Sequence, residues 1–358
     1  MNGEAGKQFL EEYLVKTNKL FKSYLERKIR EAKKVGDLPG QLISDFSEIA
    51  QKGKKIRGSL VVLGYKAAGG RDEKAILDTS LFIELLHTGL LVHDDIQDRD
   101  VIRRGLPTIH KRYWDKAKEL GLGKDAYHYG ISMAINAGIS AYFLAMDKLL
   151  NGNFPMKRIV RAGRLTADYI TKVAHGQALD VSNIFMNNKS EEELLNILRY
   201  KTAEYTGVLP LLVGATLAGK EDEKYLEALR QYGLCLGWAF QIQDDILGAF
   251  GDEKRIGKSV GIDFREGKVT LLVLHLAKNG TRQQKEFLKR CLGNKSITNE
   301  DVRELQEMLK EAGSYDYVVK MGWNYVKRGE KYVSLITKSR RLQKIFTSLL
   351  YFMMERAL

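Results

Sequence analysis

Apolar side chains recur at helical spacing along most of this chain. From Lys7 to Ala32 the positions Leu10, Tyr13, Leu14, Leu20, Phe21 and Tyr24 repeat with that period. Asp37 to Gly40 interrupt it, and a second helix is predicted over Gln41 to Gln51. An apolar run from Ser59 to Ala68 then stops at Gly69 and Gly70, a plausible helix end. Arg71 to Asp98 reads as one long helix, apolar nearly all round through Leu81, Phe82, Ile83, Leu85, Leu86, Leu90, Leu91 and Val92, which places it in the middle of a bundle. After a basic turn from Arg103 to Pro107, helices are predicted over about 128–150, 155–186, 190–219 and 221–250. A Gly-rich charged loop from Asp252 to Gly267 follows. Further helical stretches are expected over about 268–279, 281–292, 299–312 and 314–357, the last with breaks.

Composition supports this pattern. The 358 residues include only four prolines, at 39, 107, 155 and 210, so long intervals run without a helix breaker and an all-β architecture is excluded. No compositionally distinct linker divides the chain, and the expectation is an all-α bundle forming a single domain over residues 1–358. No run of eighteen apolar residues occurs, so no transmembrane segment is expected, and the acidic, amphipathic start does not resemble a secretory signal. Cys235 and Cys291 are the only cysteines, which supports neither a disulfide scaffold nor a thiolate metal site and fits a reducing, cytoplasmic location.

Lys and Arg outnumber Asp and Glu by 58 to 45, a net +13. Such an excess suits nucleic acid, an anionic membrane or small anionic substrates. The sequence lacks an aromatic-interleaved basic stripe, zinc-finger spacing or an RNP-like segment, so nucleic acid is set aside. Solvated-looking basic runs lie near the ends, at Lys22 to Lys34 and Lys338 to Lys344, while other basic residues sit beside acidic motifs in the interior.

Two of those motifs carry chemistry. Asp94, Asp95 and Asp98 close the apolar helix that ends near residue 98; Asp94 and Asp98, at i and i+4, project from one face about 6 Å apart at Cβ. Taken alone, the pair is either a solvated helix end, with Arg99, Arg103 and Arg104 as counter-charges, or a site for hard divalent cations bridging to a phosphate. A second pair, Asp244 and Asp245, closes another apolar helix 150 residues later. Two such placements favour metal-assisted anion binding. The basic set is Lys54, Lys55 and Arg57, then Arg103 and Arg104, then Lys201 beside Thr202, and finally Lys258 and Lys268, suggesting two anion pockets, one through metal and one direct.

In order and spacing these elements resemble the trans-isoprenyl diphosphate synthases over about residues 50–270. The DDxxD motif of that family matches Asp94, Asp95 and Asp98, its RRG matches Arg103 to Gly105, and its GGKRLRP looks like Lys52 to Gly58. Its KT matches Lys201 and Thr202, and its FQxxDD matches Phe240 to Asp245, with downstream lysines at Lys258 and Lys268. The resemblance implies a helical bundle around a deep apolar pocket, with both motifs at its mouth, and a homodimer. It implies that Asp94, Asp98 and Asp244 hold three Mg²⁺ ions on an allylic diphosphate, assisted by Arg103, Lys201 and Lys258. Isopentenyl diphosphate would lie on Lys54, Arg57, Arg104 and His87, and the reaction would be head-to-tail condensation. Thr202 and Gln241 would turn oxygen dipoles toward the allylic cation. Gly248 departs from the family's third aspartate, leaving Asp252 as an outer-shell candidate.

Product length is expected from the helix that precedes Asp94. Gly89 and Leu90 lie about 7.5 Å and 6 Å deeper along it. Fifteen-carbon synthases resemble one another in an aromatic floor there, which this chain lacks at those two positions. The segments Tyr129 to Asn136 and Tyr142 to Asp147 look like the geranylgeranyl diphosphate synthase branch, with a floor expected from Ser132, Met133 and the helix around His175 to Asp180. The expectation is a twenty-carbon product, with shorter and longer chains as alternatives.

Rivals are a terpene cyclase or head-to-head synthase, disfavoured by Lys54, Arg57 and Arg104, and a di-iron bundle suggested by Glu84 and His87, which lacks a second ExxH. A non-catalytic regulatory partner would be expected to lose one aspartate motif, and both are present. The amphipathic stretch Leu342 to Leu358 is expected to pack as a final helix, with weak peripheral membrane contact as the alternative.

Overall fold

The computed structural model describes residues 2–182, 190–251 and 261–356. Among these the chain is helical apart from a two-residue hairpin. Helices α1 (Glu4–Lys33), α2 (Asp37–Gln51), α3 (Ile56–Ala67), α4 (Glu73–Thr79) and α5 (Leu81–Gln97) lead to the hairpin β1 (Ile102–Arg103) and β2 (Leu106–Pro107). There follow α6 (Ile109–Glu119), α7 (Ala126–Leu150), α8 (Met156–Ser182) and α9 (Glu191–Leu198), a π-helical stretch (Arg199–Val208), then α10 (Leu209–Leu217) and α11 (Glu223–Phe250). The remainder is α12 (Ile262–Glu266), α13 (Leu271–Asn279), α14 (Arg282–Cys291), α15 (Asn299–Glu311), α16 (Ser314–Ile336) and α17 (Arg340–Glu355).

The chain falls into two compact units. One comprises Gln8–Arg164 with Val213–Lys220; the other comprises Met1–Lys7, Leu165–Leu212 and Glu221–Leu358. In the first, α5 is the core helix, with Leu81, Phe82, Ile83 and Leu85 fully buried. Its anticipated continuity from residue 71 is broken at Ser80, whose hydroxyl bonds to Leu77 O (2.8 Å) and to the Tyr13 hydroxyl (2.8 Å). In the second unit, α11 packs chiefly on α16 and on the π-helical stretch. A Cβ at Gly237 would lie 2.3 Å from Ala203 O, so this glycine lets the two backbones close on each other. The final helix α17 buries Phe346, Leu349, Leu350 and Met353, as expected for a packed terminal helix.

Further elements differ from the sequence expectation: α2 begins at Asp37, inside the expected interruption, and α12 lies within the expected 252–267 loop. Helix α6 is not signalled by the sequence, because only Ile109, His110, Tyr113 and Ala117 of its eleven residues are buried and all the others but Trp114 are charged. The single helix expected over 190–219 is interrupted by the π-helical stretch, a geometry frequent at functional sites.

Candidate active site

The first aspartate motif is built by the way α5 ends. Asp98 is the C-cap, Arg99 adopts a left-handed φ of 57°, and Asp100 N–H returns to Asp95 O at 2.9 Å while Arg99 N–H reaches Ile96 O at 3.3 Å. This is a Schellman closure with arginine where glycine is usual, and it brings Asp100 beside Asp95. The hairpin then aims Arg103 at both. Its Nε donates to Asp95 Oδ1 (2.6 Å), its Nη2 also meets Asp95 and bonds Asp100 (2.9 Å), and Asp94 lies 3.7 Å away. Arg104 and Gly105 both have positive φ, 54° and 72°, as the two central positions of a tight type I′ hairpin demand.

Arg103 is therefore held by the motif itself, so its first role is to fix the buried Asp95 and Asp100 beneath the more accessible Asp94 and Asp98. Burial raises the Asp95 carboxyl to about 7, against the opposing pull of Arg103. Asp94 and Asp98 share one helix face, as the Asp98 N–H bond to Asp94 O (2.8 Å) requires.

The residues expected to hold an anion directly lie in the same unit. Burial, then the charges of Arg57, Arg104 and Arg103, hold the His87 imidazole well below its usual pKa. Arg57 is buried on α3, whose first turn is fixed by Glu84: Oε1 accepts Gly58 N–H at 2.7 Å. That bond engages Glu84 as a helix anchor rather than as a metal ligand of an ExxH site. Arg104 donates to Ile49 O (2.8 Å) and to Lys52 O, tying the α2–α3 turn to the hairpin, with Lys54 exposed in that turn. Lys55 does not join the set: its ammonium bonds Asn18 Oδ1 (3.0 Å) and Gln51 O (3.1 Å), so it pins the turn to α1.

In the other unit a cavity of about 290 Å³ gathers Lys201, Thr202, Gln241, Asp244 and Lys268, five of the predicted residues, over an apolar side formed by Leu194, Ile197, Leu198 and Leu271. Lys258 and Asp252 lie outside the described residues. Three further carboxylates line the cavity. Asp180 pairs with Lys201 at 2.6 Å. Asp245 accepts from Gln241 Nε2 at 2.8 Å, a bond that fixes the amide and leaves its oxygen for other use. Asp263 accounts for the missing third aspartate: a Cβ on Gly248 would lie 2.6 Å from Asp263 Oδ2, so the carboxylate stands in the space that a side chain at 248 would enter. Gly261 N–H bonds Gly248 O at 3.2 Å and thereby registers α12 on α11. Burial first, then Asp263, raise the Asp245 carboxyl to about 8.

Among the described residues no three metal-ligating side chains converge into a ready-made cage. The donors nevertheless fit Mg²⁺, which keeps several waters and takes one or two carboxylates plus substrate phosphates. Asp94 and Asp98 on one face, and Asp244 beside the buried Asp245, are such donors. Mg²⁺ there would supply charge neutralisation for a departing diphosphate.

The chain-length positions Gly89 and Leu90 lie on α5. Gly89 faces α7, where a Cβ would meet Ala141 Cβ at 2.9 Å and the Tyr142 ring at 3.0 Å. An aromatic ring therefore does occupy this depth, contributed by α7. Its hydroxyl bonds His93 Nδ1 at 2.9 Å, and the two rings meet edge to face. Leu90 is part-exposed, and Met133 is buried on α7.

Comparison with known proteins agrees with this chemistry. The polyprenyl synthetase family model matches residues 41–309. A geranylgeranyl diphosphate synthase of Sulfolobus acidocaldarius is 32% identical over 322 residues, 89% of this chain and 88% of the relative. A geranylfarnesyl diphosphate synthase of Natronomonas pharaonis is 30% identical over 80% of this chain and 76% of its own. Among solved structures, a Corynebacterium glutamicum geranylgeranyl pyrophosphate synthase, complexed with isoprenyl diphosphate and magnesium, is similar with a TM-score of 0.90 and 28% identity, covering 97% of this chain and 99% of that one.

Proposed function

Because the chain belongs to the polyprenyl synthetase family, we propose that it is a prenyltransferase joining isopentenyl diphosphate head-to-tail to an allylic diphosphate, with geranylgeranyl diphosphate as product. The observation that carries this reading is the coexistence of two aspartate motifs with a cluster of Arg57, Arg103 and Arg104 whose charges act on His87. A cyclase or head-to-head synthase has no use for a metal-free anion pocket. The family match crosses both compact units, which supports treating residues 1–358 as one functional domain.

Asp94, Asp98 and Asp244 are assigned to three Mg²⁺ ions, with Lys201, Lys258 and Arg103 adding positive charge toward the allylic diphosphate. Lys54, Arg57, Arg104 and His87 are assigned to isopentenyl diphosphate, and Lys268 to anion binding at the cavity in which it lies. Ionisation leaves a delocalised allylic cation that the isopentenyl double bond attacks, and proton loss to the released diphosphate restores an alkene. Thr202 is buried and the Gln241 amide is held by Asp245, so each can present an oxygen dipole to a cation without being alkylated. Leu194, Ile197, Leu198 and Leu271 keep water from the cation.

Tyr142, packed on Gly89 about a turn and a half below Asp94, is assigned as the stop that limits the product to twenty carbons. We also place two copies together through α7, a long apolar helix only one third buried, whose Ile135, Ile139 and Phe143 repeat every four residues and are 42%, 45% and 72% exposed. Phe143→Asp should convert a dimer to a monomer by light scattering; an unchanged mass, or vesicle binding by this face, would reject that pairing. The two free, buried cysteines support a reducing, cytosolic setting.

The direct test is incubation with labelled isopentenyl diphosphate, each allylic starter and Mg²⁺, followed by chromatography of the dephosphorylated products. Twenty-carbon alcohol should dominate. Absence of any condensation overturns the reaction, and a dominant fifteen- or twenty-five-carbon product overturns the assigned length.

A further inference from the structure

Past the last turn of α17, Arg356 turns back toward the second aspartate motif. Its side chain is 8% exposed. One guanidinium nitrogen donates to Asp244 Oδ1 at 2.9 Å, another to Phe240 O at 2.8 Å, and Nε to Met353 O at 3.1 Å, with the fork 4.2 Å from the Phe240 ring centroid. Its own carbonyl accepts Gln243 Nε2–H at 3.0 Å. The helix that delivers it is clasped by the start of the chain. Gly3 N–H bonds Glu355 Oε2 at 2.7 Å, Gly6 N–H bonds Ser348 Oγ at 2.9 Å, and the Ser348 hydroxyl donates to Asn2 O at 2.7 Å. A Cβ on Gly6 would lie 2.8 Å from Leu349 N, so this close approach depends on glycine.

The two partners of the ion pair are unequal. Arg356 is anchored by three contacts besides Asp244, whereas Asp244 is 39% exposed and lines the cavity. The carboxylate is the exchangeable member. We propose that Arg356 is a positioning residue for Asp244: it holds and neutralises this carboxylate in the substrate-free enzyme, and a divalent cation must compete with it to bind there. The inference rests on the assignment of Asp244 as a metal ligand. Chemically, an internal cation lowers the affinity of the empty site for metal, so loading favours arrival of metal together with a diphosphate that brings its own negative charge.

The test is Mn²⁺ titration of full-length, substrate-free protein, with free Mn²⁺ followed by electron paramagnetic resonance. Arg356→Gln should bind Mn²⁺ about tenfold more tightly than wild type, a screened single-charge effect. Arg356→Lys, which retains the charge, should stay within about twofold of wild type. Gly6→Val, remote from the cavity, should tighten Mn²⁺ binding by an intermediate factor and speed amide exchange in α17. Equal or weaker Mn²⁺ binding by Arg356→Gln overturns the inference. Asp244→Asn separates the two layers: if it binds Mn²⁺ as wild type does, the metal assignment itself falls, whereas its loss of binding beside an unresponsive Arg356→Gln rejects Arg356 alone.

Discussion

In the first aspartate motif the buried Asp95 is gripped by a guanidinium, Arg103, which also holds Asp100; in the second, the buried Asp245 is gripped by a neutral amide, Gln241. Both carboxyls are pushed up by burial, to about 7 and about 8, with neighbouring carboxylates adding to the rise in each; Arg103 opposes it at Asp95 and the Gln241 hydrogen bond opposes it at Asp245. The same sequence pattern, two aspartates closing an apolar helix, is thus held by an ion pair in one place and by a neutral hydrogen bond in the other. In both, the inner aspartate is buried and the outer one, Asp94 or Asp244, is part-exposed.

Replacing the outer aspartates should have the largest consequences and treat the motifs alike. Asp94→Ala and Asp244→Ala should each lower turnover by at least about a thousandfold, because each removes a contact assigned to departing-group stabilisation. Melting temperatures should move by only a few degrees, since both side chains are part-exposed. Retained condensation in either variant would sink its metal assignment.

Replacing the clamps should split the motifs apart. Arg103→Ala leaves Asp95 buried without its counter-ion and should cost about 3–5 kcal/mol of stability. Gln241→Ala removes one neutral hydrogen bond from Asp245 and should cost about 1–2 kcal/mol. Urea denaturation at neutral pH measures both. Equal losses would mean that the two motifs are held by the same kind of interaction.

These differences mark where sequence reading ends. The motifs, the basic residues that follow them and most helices were legible because each depends on local spacing. The α5 pattern predicted its burial, and the Lys201–Thr202 and Phe240–Asp245 elements share a cavity as expected. The place of Asp263 beside Gly248 is not legible in the sequence, because the two are fifteen residues apart and meet only through the packing of α12 on α11. The packing of Tyr142 on Gly89 is likewise not legible, because the ring comes from α7 across an interface between two helices far apart in sequence. The pairing of Arg103 with Asp95 and Asp100 is not legible in the sequence, because the hairpin that turns it onto them is a tertiary consequence of two positive φ angles.

The Tyr142 geometry changes what a chain-length experiment should be. Gly89→Phe would drive an aromatic side chain into Ala141 and Tyr142 and damage the α5–α7 packing, so a loss of activity there would say little about length. Tyr142→Leu instead removes the ring and its bond to His93 without touching either aspartate motif. It should shift a measurable fraction of product from twenty to twenty-five carbons with a modest change in rate. An unchanged product distribution would move the floor away from Tyr142.

The smallest effect expected is a pH dependence belonging to the first unit alone. The pKa of His87 is depressed in the folded chain by burial and by Arg57, Arg104 and Arg103, while in the unfolded chain it returns to about 6.5. Below that value the unfolded state binds a proton that the folded state refuses. The neutral imidazole's contribution is therefore intact above about pH 6.5 and is lost progressively as the pH falls toward the depressed folded value. Substrate-free protein should lose stability between about pH 6.5 and 5, and His87→Asn should flatten that slope, as measured by urea midpoints across the range. Inorganic diphosphate should flatten it too, because an anion among those guanidinium groups offsets the charges that keep His87 neutral. A slope unchanged in His87→Asn would show that His87 is not responsible for it, and one unaffected by diphosphate would place the metal-free anion elsewhere.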